Sequence, residues 1–195
     1  MRYSSWSLSF VLACAVSPIV AYARSQEAPP KPGPEVKKLA VMVGRFTNEG
    51  ELKAGMMTPN SPAMKVSGTD ECKWTADGFG LICTYTWDVG STKFSETAII
   101  YYDAISQKYQ FHGVTNTGET ADQTGTVSGD TWTWPGKGVL DGKVFYTRFV
   151  MKFVSNDSYE YSEEWGDSEN SMKLAMTGKD TRAAITKPAT SKPAN

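Results

Sequence analysis

Three carboxylates in this chain of 195 residues stand on faces that are otherwise aromatic or apolar. In strand-like alternation Asp70 shares a side with Cys72 and Trp74, Glu96 with Phe94, and Glu163 with Tyr161 and Trp165. A carboxylate that faces an apolar interior is costly unless it is paired, hydrogen-bonded or protonated. In a barrel the usual solution is a cavity holding water or ligand. Asp70, Glu96 and Glu163 are therefore expected to form the polar floor of an aromatic pocket. The competing expectation is that each lies at a strand end and meets water at the rim. Asn48 and Thr147 share the same inward parity, and Asp180 and Arg182 share that of Met176.

Other chemistries are less well supplied. His112 is the only histidine, which excludes sites needing two imidazoles, and its parity puts it with Lys108 and Gln110 on a wet face. Met56, Met57 and Met64 lie in GMMTPNSPAM without a histidine or cysteine beside them, which suits a flexible rim better than a copper site. No G-x-S-x-G, P-loop, H-E-x-x-H or G-x-G-x-x-G motif is present, so no catalytic, metal or cofactor residue is assigned. With 20 basic against 21 acidic residues, a broad nucleic-acid surface is not expected.

Strands must position these groups. From residue 44 to 182 the hydrophobic period is two, broken by Gly, Asp, Asn and Ser. Strands are expected over 44–53, 64–75, 79–88, 93–103, 108–115, 119–128, 131–134, 144–154, 158–165 and 172–182. Phe79, Leu81, Cys83, Tyr85 and Trp87 face inward from the third, and Met172, Leu174 and Met176 from the last. The strand at 119–128 is mostly polar, and its facing is open. Nearly every strand has one apolar and one wet face, so the sheet must close or be covered. Short sequential spacing favours an all-β, antiparallel up-and-down barrel of about ten strands, with one short N-terminal helix over 35–43 behind Pro34.

The segment CKWTADGFGLIC carries its own register. Asp77-Gly78 is a two-residue type I′ signal, and centring the turn there sets Trp74 opposite Leu81 and Cys72 opposite Cys83. A cross-strand disulfide is expected; the alternatives are two buried thiols or a redox pair.

The ends read differently. Arg2, an uncharged apolar stretch to Val20 and Ala21-Tyr22-Ala23 form a secretory signal pattern with cleavage expected after Ala23. A membrane anchor is disfavoured by the short run and Pro18. A lipoprotein site at Cys14 is the other alternative. Cleavage after Ala23 leaves Cys72 and Cys83 as the only cysteines, an even count suited to an oxidising compartment. The expected organisation is signal peptide 1–23, proline-rich tether 24–34, barrel domain 35–182 and disordered tail 183–195. The destination is secreted or periplasmic.

The stretches PPKPGPEVKKLAVMVGRFTNEGEL, GTDECKWTADGFGLIC, AIIYYD, GDTWTW, DSYEYSEEW and MTGKDTR, in that order, resemble a bacterial family of secreted proteins catalogued as domain of unknown function 1579. The resemblance spans about residues 29–182. The family resembles the calycin group of barrels, which includes lipocalins, and Gly44-x-Phe46 is similar to the lipocalin G-x-W opening with Phe in place of Trp. The resemblance implies a barrel and secretion, and it brings no activity or site residues.

The leading expectation is a non-enzymatic barrel holding a small apolar or aromatic ligand. Trp74, Leu81, Tyr85, Phe94, Phe111, Phe149, Tyr161 and Trp165 would form the walls, and Asp70, Glu96 and Glu163 would orient the ligand. The alternatives are an envelope interaction module with a packed interior, and an enzyme using the interior carboxylates as acid and base.

Overall fold

Alternation along the chain becomes ten antiparallel strands that neighbour each other in sequence order. The structure is a computed structural model that describes residues 30–140 and 142–184. The strands are β1 (Gly44–Leu52), β2 (Met64–Trp74), β3 (Gly80–Val89), β4 (Thr92–Asp103), β5 (Lys108–Thr115), β6 (Thr120–Ser128), β7 (Thr131–Leu140), β8 (Lys143–Ser155), β9 (Ser158–Gly166) and β10 (Lys173–Arg182). β1 pairs with both β2 and β10, so the sheet closes on itself and no edge is left. The expected leader with Cys14, most of the proline-rich stretch and the tail beyond residue 184 lie outside the described residues.

One end of the barrel is plugged. Helix α1 (Pro34–Lys38) runs into a 3-10 turn, Leu39–Met42, behind a proline whose fixed φ suits a helix start. Leu39 and Met42 are buried against Phe46, Cys72, Leu81, Trp132 and Tyr159. Two latches hold the plug. The Tyr109 hydroxyl donates to the Glu35 carbonyl at 3.1 Å and to its carboxylate at 2.8 Å. The Arg182 guanidinium donates to the carbonyls of Val41 and Val43 and lies 4.4 Å over the Phe46 ring. At the other end a smaller cluster of Leu52, Val66 and Val89 is covered by Met56, Met64, Trp87, Phe94 and Trp165.

Four local expectations are corrected. The β2–β3 connection is wider than a two-residue turn: Thr75 pairs with Gly80, and Gly78 alone takes positive φ, at 70°. The register is unchanged because both turns share a centre, so Cys72 faces Cys83 and Trp74 faces Leu81. Phe79 falls in this wider turn and is exposed rather than inward. β7 continues to Leu140, well past Trp134, through the PGKG segment. Pro135 points outward, and the β6–β7 ladder skips it and Trp134, so its missing N–H breaks only local pairing. Finally, a bulge between Leu174 and Met176 turns Leu174 out, 44% exposed, and brings Ala175 in.

β6, whose facing the pattern leaves open, turns Ala121, Gln123, Gly125 and Val127 inward. Gly125 is required there, because a Cβ would run into the Trp134 ring. The cysteines form the disulfide, with Cα atoms 4.1 Å apart.

Candidate functional site

The barrel's inner wall carries four carboxyl groups from four strands: Asp70 on β2, Glu96 on β4, Glu163 on β9 and Asp180 on β10. Strand alternation turns each side chain inward, and cross-strand register sets them side by side. Asp70 faces Tyr85, and Tyr85 faces Glu96. On the other side of the closure Asn48 faces Asp180, and Asp180 faces Tyr159.

Hydrogen bonds satisfy part of this set. The Tyr159 hydroxyl donates to Asp70 Oδ2 at 2.9 Å. Asn48 Nδ2 donates to Asp180 Oδ2 at 2.9 Å, and the Tyr161 hydroxyl donates to Asn48 Oδ1 at 3.3 Å. The Thr147 hydroxyl donates to Glu163 Oε1 at 3.0 Å. Asp180 is 1% exposed, and its Oδ1 has no partner. Glu96 lies across Gly113, where a Cβ would collide with Glu96 Oε1. The glycine is what lets that side chain fold over the wall.

Burial drives the electrostatics. Removal from water pushes the Glu96 carboxyl up to about 7, and the charges of Glu163 and Asp70 add to the shift. Burial raises Glu163 against the opposing hydrogen bonds of Trp165 and Thr147. Asp70 and Asp180 form a tightly interacting pair, both raised chiefly by burial. On Asp180 the charge of Asp70 acts in the same direction as burial. The hydroxyls of Tyr85 and Tyr159 are held well above their usual range by burial and by the same acids. At neutral pH the interior therefore retains protons that the same carboxyls would lose in water.

The barrel is not equally packed along its length. Towards the plug Leu39, Leu81 and Cys83 have no exposed surface. Beyond them Asp70, Tyr85 and Glu163 face inward and are only partly buried. Glu96, Phe111 and Phe149 share this state of partial burial. These residues share one stretch of the inner wall. Aromatic rings pair along it: Tyr85 with Phe111 at 6.2 Å, Phe149 with Tyr161 at 5.5 Å, and Trp87 with Phe94 at 5.7 Å.

Of the residues expected from sequence, Asp70, Tyr85, Glu96, Phe111, Phe149, Tyr161 and Glu163 are brought together on this wall. Phe94 and Trp165 stand near the end away from the plug. Leu81 belongs to the packed floor by the plug. Trp74 is not brought to the interior: it ends β2, is 36% exposed and sits at the rim. Asp180, Asn48 and Tyr159 complete the polar set. Their inward parity was readable, but their contacts join β1, β2, β9 and β10 across the closure, which no local pattern reports. His112 is on the outer wall as expected, 2.6 Å from Asp122 and stacked on Tyr101. Two surface concavities also exist, one of about 410 Å³ beside Arg182 and one of about 690 Å³ on β1–β4. None of the four acids lines either.

Ten antiparallel strands in sequence order, closed first to last and plugged by a short helix, make this a calycin-like up-and-down barrel. Residues 31–182 match the model of the family described as protein of unknown function DUF1579, and the chain belongs to that family. Among solved structures the chain is similar in fold to Rv2717c from M. tuberculosis, with a TM-score of 0.55 and 13% identity over 78% of this chain and 99% of that one. A de novo designed fluorescence-activating β-barrel aligns with a TM-score of 0.39 and 12% identity over 72% of this chain and 93% of its own. A search of curated proteins returned no match.

Proposed function

We propose that the protein is a secreted, non-enzymatic barrel that holds a small aromatic or apolar ligand in its lumen. The observation that supports this is the accessible surface kept by the inward-facing residues Asp70, Tyr85 and Glu163 between aromatic rings. A barrel evolved only to pack would fill that space with apolar side chains, which are cheaper to bury than carboxyls. The secretory reading rests on the leader pattern, and a disulfide is in keeping with an oxidising compartment. Native mass spectrometry of protein isolated from its own source tests the binding, with titration of the neutral probe N-phenyl-1-naphthylamine as the second arm. A ligand adduct lost on denaturation, or saturable enhancement of the probe's fluorescence, is the expected result. A bare mass together with no probe binding would overturn the proposal.

A catalytic reading is favoured by one observation only. Glu96, raised to about 7, lies within electrostatic range of Glu163, as an acid–base pair would. Turnover of a bound molecule that stops in Glu96→Gln would select it.

A further inference from the structure

We propose that the lumen takes an organic cation: a small amine with an aromatic or apolar body. This rests on the ligand-binding reading and narrows its chemistry.

Charge is segregated between the two faces of the wall. The described ion pairs sit on the outer wall or around the plug: Glu51 with Lys53, Glu71 with Lys73, Asp88 with Lys93 and Glu164 with Arg148 are examples. The chain has cations in nearly equal number to acids, and these ion pairs use them on the outside. Among the described residues, none is given to the four inward acids. Lys143 and Lys173 have inward parity but begin β8 and β10 and are exposed. Arg182 is the third inward-parity cation among the described strands, and it sits at the plugged rim. There its guanidinium is taken up by Asp157, the Asn156 carbonyl and the plug carbonyls.

Hydrogen-bond acceptors inside the barrel are also left unmet. Asp180 is all but completely buried, and its Oδ1 has no donor. Glu96 has no hydrogen-bonding side chain of its own among the described residues, in contrast to Asp70 and Glu163, which each accept a hydroxyl. Glu96, partly accessible on the wall, is the acceptor that a ligand carrying N–H donors can meet. A hydrocarbon would leave it unmet, and an anion would be repelled by every carboxylate present.

The wall itself suits a cation. The ring pairs Tyr85–Phe111 and Phe149–Tyr161 flank the acids, and aromatic faces attract cations as well as apolar bodies. Carboxyls raised by burial hold protons that an arriving cation displaces into the solvent, because it stabilises the carboxylate form. Binding is thereby coupled to proton release.

The test compares three ligands with one ring system: 1-naphthylmethylamine, 1-naphthalenemethanol and 1-naphthoate. They are titrated into the whole protein at pH 7.5 by calorimetry in two buffers of different ionisation enthalpy. The expected order is amine, alcohol, carboxylate, with the amine at least about tenfold tighter than the alcohol and accompanied by proton release. Glu96→Gln should remove most of the amine's advantage and leave the alcohol's affinity within about twofold; Glu163→Gln serves if that variant does not fold. An alcohol that binds as tightly as the amine, or a carboxylate that binds best, overturns the cation proposal. If none of the three binds while N-phenyl-1-naphthylamine does, this inference fails and the ligand-binding reading stands. If that probe also fails, both fall.

Discussion

Asp180 and Asp70 lie together inside the barrel, on strands separated only by β1, and burial raises both carboxyls. Tyr159 donates to Asp70 and favours its ionised form. Asp180 has Asn48 on one oxygen and nothing on the other, with the charge of Asp70 nearby. The pair titrates as a unit.

Stability should fall as pH rises from about 4.5 to 8. The inward carboxyls have folded-state pKa values above their unfolded ones, so the folded protein binds more protons in that window and loses its advantage as they leave. Glu96 alone, raised from 4.5 to about 7, accounts for about 3 kcal/mol across the window. Glu35, Glu71 and Asp103, half-buried at the surface, are shifted down and act in the opposite sense at lower pH, weakly because water screens them. Urea unfolding at pH 5 and pH 8 measures this; equal or greater stability at pH 8 contradicts it.

The disulfide should be structural. Replacing Cys72 and Cys83 together by serine removes a bridge that closes a separation of 11 residues, at a cost of about 2–3 kcal/mol. Denaturant midpoints of the oxidised protein and the double variant give the difference, and ligand affinity should not follow it.

Arg182→Lys should loosen the plug. A lysine has no fork to reach the carbonyls of Val41 and Val43 while lying over Phe46. Hydrogen exchange over residues 34–43 is expected to accelerate at least about fivefold, since hydrogen bonds to charged groups are worth about 1.5–3 kcal/mol. Mid-strand amides of β3 and β4 should keep their protection. Uniform acceleration would mean global destabilisation instead.

Gly113→Ala should displace Glu96. The new Cβ would collide with Glu96 Oε1 and stand 2.9 Å from the Phe111 ring, so the carboxyl has to leave the wall or the ring has to shift. Overpacking of this kind typically costs about 1–3 kcal/mol. The pH dependence of stability should flatten with it, because Glu96 would regain water. Gly118→Ala is not a fair control, as Gly118 has φ at +84°; Thr117→Ala, on the same exposed loop, is better.

Much of this barrel was readable because its alternation is regular. Asp70, Glu96 and Glu163 kept the parity of their aromatic neighbours, and the register around Asp77-Gly78 placed Cys72 against Cys83. Reading failed where the chain departs from strict alternation for tertiary reasons. Pro135 and its glycines form strand because Gly136 lies under Gln123 and Gly138 under Phe145, contacts with two other strands. Leu174 points outward because a bulge resets the phase of β10, and a one-residue reset reverses every side chain before it. Trp74 has the right parity, but it stands beyond the end of the covered wall. The link from Asn48 to Asp180 spans 132 residues, and no window of sequence can contain it.

That same link governs how the chain folds. β1 finds its second partner only in β10, so a chain still being made has an unpaired flank on β1 until nearly the last described residue is available. Closure over such a separation is slow, because the loop entropy is lost before the final ladder forms. Removing β10 would leave two open edges, on β1 and β9, each a template for pairing with another chain. Completion of the barrel is thus a late event in the life of the polypeptide, and the four inward acids come together only then.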